Sequence, residues 1–303
     1  MKKIITIVLT VYAVASLAQD LNSKFSASLR TKILASDEPI ELVLLSSNPN
    51  EITSKGFKVR SVIGNIVTVE ATNNQLSSLA SISSVEYIQD SYKEFPSNIS
   101  SAQLANVQDV HSGILNNTPL KGEGVIVVIY DSGIDWKHHD FRNQDDTTKS
   151  RILFIWDQTD KADATHKSTV DFYYGVEYTN EDINAELSGY QKGFVREKDY
   201  TGHGTAIASI AAGNNKTYSG VAPKADIIVI KGGNELFSEA KIIDGLSYAM
   251  KKADALQKPI VVNLSLGSQF GAHNGSRMYE RAIDVFNSKS GIAVVVYCNK
   301  GRK

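Results

Sequence analysis

The chain has 303 residues, 42% of them hydrophobic and 21% charged, which is enough for one large globular domain plus a small one. A formal net charge of -1 gives no electrostatic reason to expect nucleic acid or an anionic surface as partner. The single cysteine, Cys298, excludes a disulfide within the chain and leaves the redox compartment unread.

At the N-terminus, Lys2 and Lys3 precede an apolar run from Ile4 to Leu17. Ser16-Leu17-Ala18 places small residues at the positions a signal peptidase inspects. Residues 1–18 are therefore expected to be a signal peptide cut after Ala18, with export to an extracellular or periplasmic location. The run is shorter than the roughly 20 residues of a spanning helix, so no stable membrane anchor is expected. Gln19 stands where a lipid-anchored protein would carry cysteine.

A small α+β unit follows, within 19–97. Ile40 to Leu45 reads as a strand, Val59 to Val69 as a second strand broken at Gly64, Gln75 to Ile82 as a helix capped by Asn73 or Asn74, and Val85 to Gln89 as a last strand. No histidine or cysteine lies between Ala18 and Ser100, so the unit carries no chemistry. It reads equally as a small structural domain or a removable pro-segment.

From Gly122 the pattern changes. Val125 to Tyr130 is an unbroken apolar run, as in a strand buried on both faces of a parallel sheet. It ends in Asp131, where open α/β sheets place their crevices; a lone Asp there serves equally as a turn cap. Residues 142–200 read as an irregular, solvated insertion around a short strand, Ile152 to Trp156. Its carboxylates Asp145, Asp146, Asp157, Asp160 and Asp163 lack the fixed spacing of a calcium loop.

Gly202-His203-Gly204-Thr205 opens a helix of small residues expected to be buried, holding an imidazole at its N-terminal end with glycines that admit close neighbours. Beyond it the chain alternates: strand Ala225–Lys231, helix Glu239–Gln257 with Ile242, Ile243, Leu246, Met250 and Ala253 on one side, strand Pro259–Leu264, helix Arg277–Asn287 and strand Gly291–Tyr297. Such alternation implies an α/β fold with a parallel sheet and right-handed crossovers. Asp131 and His203 are two members of a charge-oriented general base.

Four blocks, Asp131-Ser132-Gly133-Ile134-Asp135, Gly202-His203-Gly204-Thr205, Gly220-Val221-Ala222-Pro223 and Asn263-Leu264-Ser265-Leu266-Gly267, stand in the order found in subtilisin-like serine proteases, and the chain resembles that family. The resemblance implies a subtilisin-like parallel sheet flanked by helices over 98–303, preceded by a propeptide-like α+β domain over 19–97. It implies Asp131 as orienting acid, His203 as general base, Ser265, Leu266 and Gly267 as a wall of the substrate cleft, and Asn299 as the oxyanion side chain. Tyr297-Cys298 replace the small pair that precedes that asparagine in the family. The expected partners are a peptide or protein substrate and the chain's own propeptide.

The family's nucleophile lies in a Gly-Thr-Ser-Met-Ala type block downstream, whereas only Lys300, Gly301, Arg302 and Lys303 follow Asn299. The expectation is the first part of a subtilase, C-terminally incomplete and inactive as given, or alternatively a non-catalytic peptide-binding or regulatory protein. Cys298 as a thiolate beside a histidine is sound chemistry, but it reads as a small apolar residue of the last strand. His138, His139 and Asp140 offer no third converging zinc ligand. No metal or cofactor is assigned, and calcium is left open.

Overall fold

The computed structural model describes residues 23–32, 38–91, 93–96, 106–114, 117–268, 272 and 274–296. The expected signal peptide, Cys298 and Asn299 lie outside the described residues. Two compact units divide the chain: 1–92 with 272–282, and 93–271 with 283–303.

In the first unit, helix α1 (Ala27–Lys32) precedes β1 (Ile40–Ser46), α2 (Pro49–Ser54), β2 (Val59–Ile63), β3 (Ile66–Ala71), α3 (Asn73–Ala80) and β4 (Val85–Asp90). The strands form an antiparallel sheet in the order β2-β3-β1-β4. Leu42, Leu44, Val67 and Val69 from its inner strands meet Ile52 of α2 and Leu76 and Leu79 of α3 in one core. The cap of α3 is Thr72 rather than either asparagine, because Gln75 Oε1 reaches back to accept the Thr72 backbone N–H at 2.9 Å.

The second unit contains β5 (Lys93–Pro96), α4 (Val107–Ser112), β6 (Ile126–Asp131), β7 (Ile152–Asp157), β8 (Val176–Thr179), α5 (Asn180–Leu187), α6 (His203–Ala212), β9 (Asp226–Lys231), β10 (Phe237–Ser238), α7 (Glu239–Leu256), β11 (Ile260–Leu264), β12 (Leu266–Gly267) and β13 (Ile292–Val296); of helix α8 (Met278–Asn287), residues 278–282 fall in the first unit and 283–287 in the second. Its main sheet runs β13-β11-β6-β9-β7-β8, parallel except for the antiparallel edge strand β8. Every residue of β6 is buried, which is why that stretch is apolar without alternation. Val127 and Ile129 pack with Ile207, Ala208 and Ala212 of α6. On α7, Ile242, Ile243, Leu246, Ala249 and Ala253 are buried, and Met250 is only half-buried.

The stretch 142–200 is not a solvated insertion. It supplies β7, β8 and α5, and buries Trp156, Phe172 and Tyr178. Trp156 packs against Phe172, Tyr174 and Tyr248, with ring centroids 4.5, 5.4 and 4.9 Å away. Aromatic burial holds this region, and its acidic residues act locally.

Candidate active site

Asp131 ends β6, the strand from which the chain first builds outward through β7, β8 and β9 and later returns on the other side with β11 and β13. That reversal places the crevice of an open α/β sheet at the C-terminal end of β6. Asp131 is fully buried, and its Oδ1 accepts from His203 Nδ1 at 2.7 Å and from the Ser132 backbone N–H at 2.7 Å. His203 keeps 13% of its side chain exposed. With Nδ1–H donated to the carboxylate, the ring is held in the tautomer whose Nε2 carries the lone pair and is able to accept a proton.

The two elements are brought together by a backbone contact. A Cβ on Gly204 would collide with the Gly133 carbonyl oxygen and lie 3.1 Å from Asp131 Cβ, so only glycine lets α6 seat against the end of β6. Gly202 plays a different part: a Cβ there would meet nothing within 4 Å, and its φ of +74° is the left-handed turn into the helix. The helix is buried on one side only, with Ala206 exposed and Ile210 39% exposed. Its packed face is the one turned to β6.

Two residues given no role by the sequence complete the mounting. Asp199 accepts from the Thr205 amide at 2.8 Å, the Thr205 hydroxyl at 2.7 Å, the Gly202 amide at 3.0 Å and the Ser132 hydroxyl at 2.8 Å. A carboxylate there satisfies orphan amides of α6 and faces the positive end of its dipole. Burial pushes Asp199 up, but the hydrogen bonds from Thr205, Ser132 and Gly202 together outweigh it, and the carboxyl ends below its ordinary value. The Ser132 hydroxyl in turn accepts from the Gly204 amide at 3.0 Å and the Thr201 hydroxyl at 2.8 Å. The signal for Asp199 was present: an Asp a few residues before an apolar helix is an N-terminal capping pattern.

Ser265, Leu266 and Gly267 follow β11, one neighbour of β6, while β10 follows β9, the other neighbour. Between β10 and β12 lies β5, antiparallel to both, with Phe237 opposite Glu94 and Ser238 opposite Lys93 on one side, and Leu266 opposite Pro96 and Gly267 opposite Phe95 on the other. Ser265 itself is buried, and its hydroxyl accepts from Asn263 Nδ2 at 2.8 Å.

Four of the five carboxylates considered for calcium accept from protein donors. Asp146 accepts from Thr148, Asp157 from Thr159, Asp160 from Tyr178 and Arg196, and Asp163 from His166 and Arg196. Asp140 Oδ2 accepts from Ser209 Oγ at 2.6 Å. Around it, the buried Arg151 guanidinium donates to the carbonyls of Asp140, Ala212 and Ala225, a set of oxygens a hard cation would otherwise seek. Burial lowers Arg151 only to about 10, so it is charged at neutral pH, and these oxygens do not fit a calcium ion as well. His138 Nδ1 accepts the Asp140 backbone N–H at 3.3 Å. Among the described residues, no group of three or more His, Cys, Asp or Glu is arranged to hold a metal.

The family model described as "Subtilase family" matches residues 122–299, more than half of the chain. The PII-type proteinase of Lactococcus lactis subsp. cremoris is 28% identical over 68% of this chain and 11% of its own length. The major intracellular serine protease of Bacillus subtilis (strain 168) is 26% identical over 65% of this chain and 51% of its own. Among solved structures, the CspB protease of Clostridium perfringens superposes with a TM-score of 0.53 at 31% identity, covering 61% of this chain and 38% of that one. Fervidolysin from Fervidobacterium pennivorans, at 16% identity and a TM-score of 0.50 over 86% of this chain and 40% of that one, shares the fold. This chain thus spans about half, or far less, of the relatives it matches. The ordered blocks, the parallel sheet, the Asp131–His203 pair at its C-terminal edge and the family match agree, and the chain belongs to the subtilase family.

Proposed function

We propose that this chain carries the acid–base pair and the substrate wall of an exported subtilisin-like serine endopeptidase. The observation that supports it most is the 2.7 Å bond from His203 Nδ1 to the fully buried Asp131 at the end of β6. In this reading His203 Nε2 takes the proton of a serine hydroxyl as that oxygen attacks a peptide carbonyl, then returns it to the leaving amine. Asp131 stabilises the imidazolium in between, and Asn299 holds the oxyanion.

Hydrolysis of a fluorogenic peptide by the protein should be lost in His203→Ala and fall steeply in Asp131→Asn. Hydrolysis that survives His203→Ala would overturn the assignment of the general base. The pairing of β5 with β10 and β12 favours a second reading, in which the same groove binds extended peptide without cutting it. It also supports 19–97 as a propeptide that threads its own C-terminal strand into that groove.

A further inference from the structure

Next to the Asp131–His203 pair lies an ionic cluster that the acid–base reading leaves unused. Glu197, on the loop before α6, is 1% exposed. Its Oε1 accepts from the Ile134 backbone N–H at 3.2 Å and lies 3.9 Å from the Nζ of Lys231, a 2% exposed residue at the end of β9. A Cβ on Gly133, whose φ is +121°, would collide with that same oxygen, so the carboxyl is pressed against the turn that leaves Asp131. Trp136 Nε1 donates to the Glu197 backbone carbonyl at 3.4 Å and ties the same loop down. Glu197 Oε2 is buried with no hydrogen-bond partner among the described residues.

The charges around Glu197 do not balance. Asp157, at the end of β7 and 4% exposed, is one carboxyl acting on it, and Asp199 on its own loop is the other. Against these stands the Lys231 ammonium, which also donates to the Lys198 carbonyl and faces the Tyr200 ring at 4.8 Å. A buried site with more carboxylates than ammonium groups relieves its excess charge by holding a proton. Burial pushes Glu197 up to about 8, against the opposing pull of Lys231, and burial also raises Asp157.

The link to the imidazole is short. Glu197 fixes the peptide of Ile134, and the Gly133 carbonyl just before it is the atom against which Gly204 seats, one residue after His203. We infer that Glu197 is a positioning residue for His203: its carboxyl sets the Gly133–Ile134 turn, and one proton gained or lost in the Glu197–Lys231–Asp157 cluster changes how α6 and its imidazole seat on Asp131. The inference rests on Asp131 and His203 being the acid–base pair.

The test is a titration of the full chain by NMR from about pH 6 to about pH 10, the range over which a raised carboxyl ionises. The amides of Ile134 and Gly204 and the His203 ring Cε1–H should share an inflection near pH 8, above the ordinary histidine step. Glu197→Gln keeps an acceptor for the Ile134 amide but cannot ionise, and should abolish that inflection with unchanged far-UV circular dichroism. Asp157→Asn, which removes a competing negative charge, should move it to lower pH. Flat Ile134 and Gly204 shifts through pH 8 in the wild type would overturn the inference. So would the same inflection in Glu197→Gln, or an inflection in Asp157→Asn that has not moved; the last comparison decides the matter if Glu197→Gln does not fold. These signals do not depend on peptide cleavage, so hydrolysis that survives His203→Ala would refute the protease reading while leaving this result standing.

Discussion

Asp199 shows how much of the site's geometry is carried by a side chain that touches no substrate. Its two oxygens accept from Thr205, Gly202 and Ser132, so it caps α6 and ties the helix to the residue after Asp131. Loss of a capping carboxylate costs about 1 kcal/mol, which lowers the melting temperature of a domain of this size by about 2–4 °C. Asp199→Ala should show that drop by differential scanning calorimetry at neutral pH. The folded-state carboxyl lies below its ordinary value, so the fold favours the charged form. Its stabilisation is fully present above the unfolded value of about 3.9 and is lost as pH falls through the folded one. The gap between wild type and Asp199→Ala should therefore be constant from neutral pH down to about 5 and narrow below about 4. Glu197 is the opposite case, a charged residue in a run, Arg196-Glu197-Lys198-Asp199, that reads as solvent-facing. Which member of such a run is buried depends on the turn it packs against, and no local pattern encodes that.

At the scale of elements, legibility followed burial. Strands β6 and β9 were readable because burial on both faces of the sheet requires continuous apolar runs, β11 because its apolar residues lie between Pro259 and a polar turn, and α7 because its apolar stripe repeats at the helical period. By contrast, β8 is four residues long, Val-Glu-Tyr-Thr, and β10 and β12 are two each, too short for periodicity to register. The strand β5 exists only through its partners. Because its pairing in the β10–β12 groove is what an extended substrate would form, a peptide ligand should compete with it. Hydrogen exchange followed by mass spectrometry should show 93–96 protected in the free chain, with faster exchange when a peptide ligand is added in excess; no change on saturation with a bound peptide would place the ligand elsewhere.

At the scale of the whole molecule, the resemblance in the motifs, the alternation of elements and the family match converge on one fold, and the least legible part was the interior charge. That charge has a global readout. Glu197 is raised from 4.5 to about 8, so between those values the folded chain holds a proton that the unfolded chain has released. Stability should therefore fall as pH rises through that window and level off above it, by a few kcal/mol in total at about 1.4 kcal/mol per pH unit. Urea midpoints measured near pH 5.5 and pH 8.5 should decline in the wild type more than in Glu197→Gln; parallel declines would show that other groups set the slope.

The order of the main sheet also bears on how the chain is made. Strands β6, β7, β8 and β9, with the helix bearing His203 among them, are all synthesised by Lys231, and they form one contiguous half-sheet. The Asp131–His203 pair therefore has all of its own elements before β11 leaves the ribosome. Until then β6 presents the bare edge that Ile260 to Asn263 will later pair. For the time needed to translate roughly thirty residues, at about 5–20 residues per second, the nascent chain carries an assembled pair beside an unpaired apolar strand. That interval of a few seconds is when aggregation or chaperone capture would compete with folding.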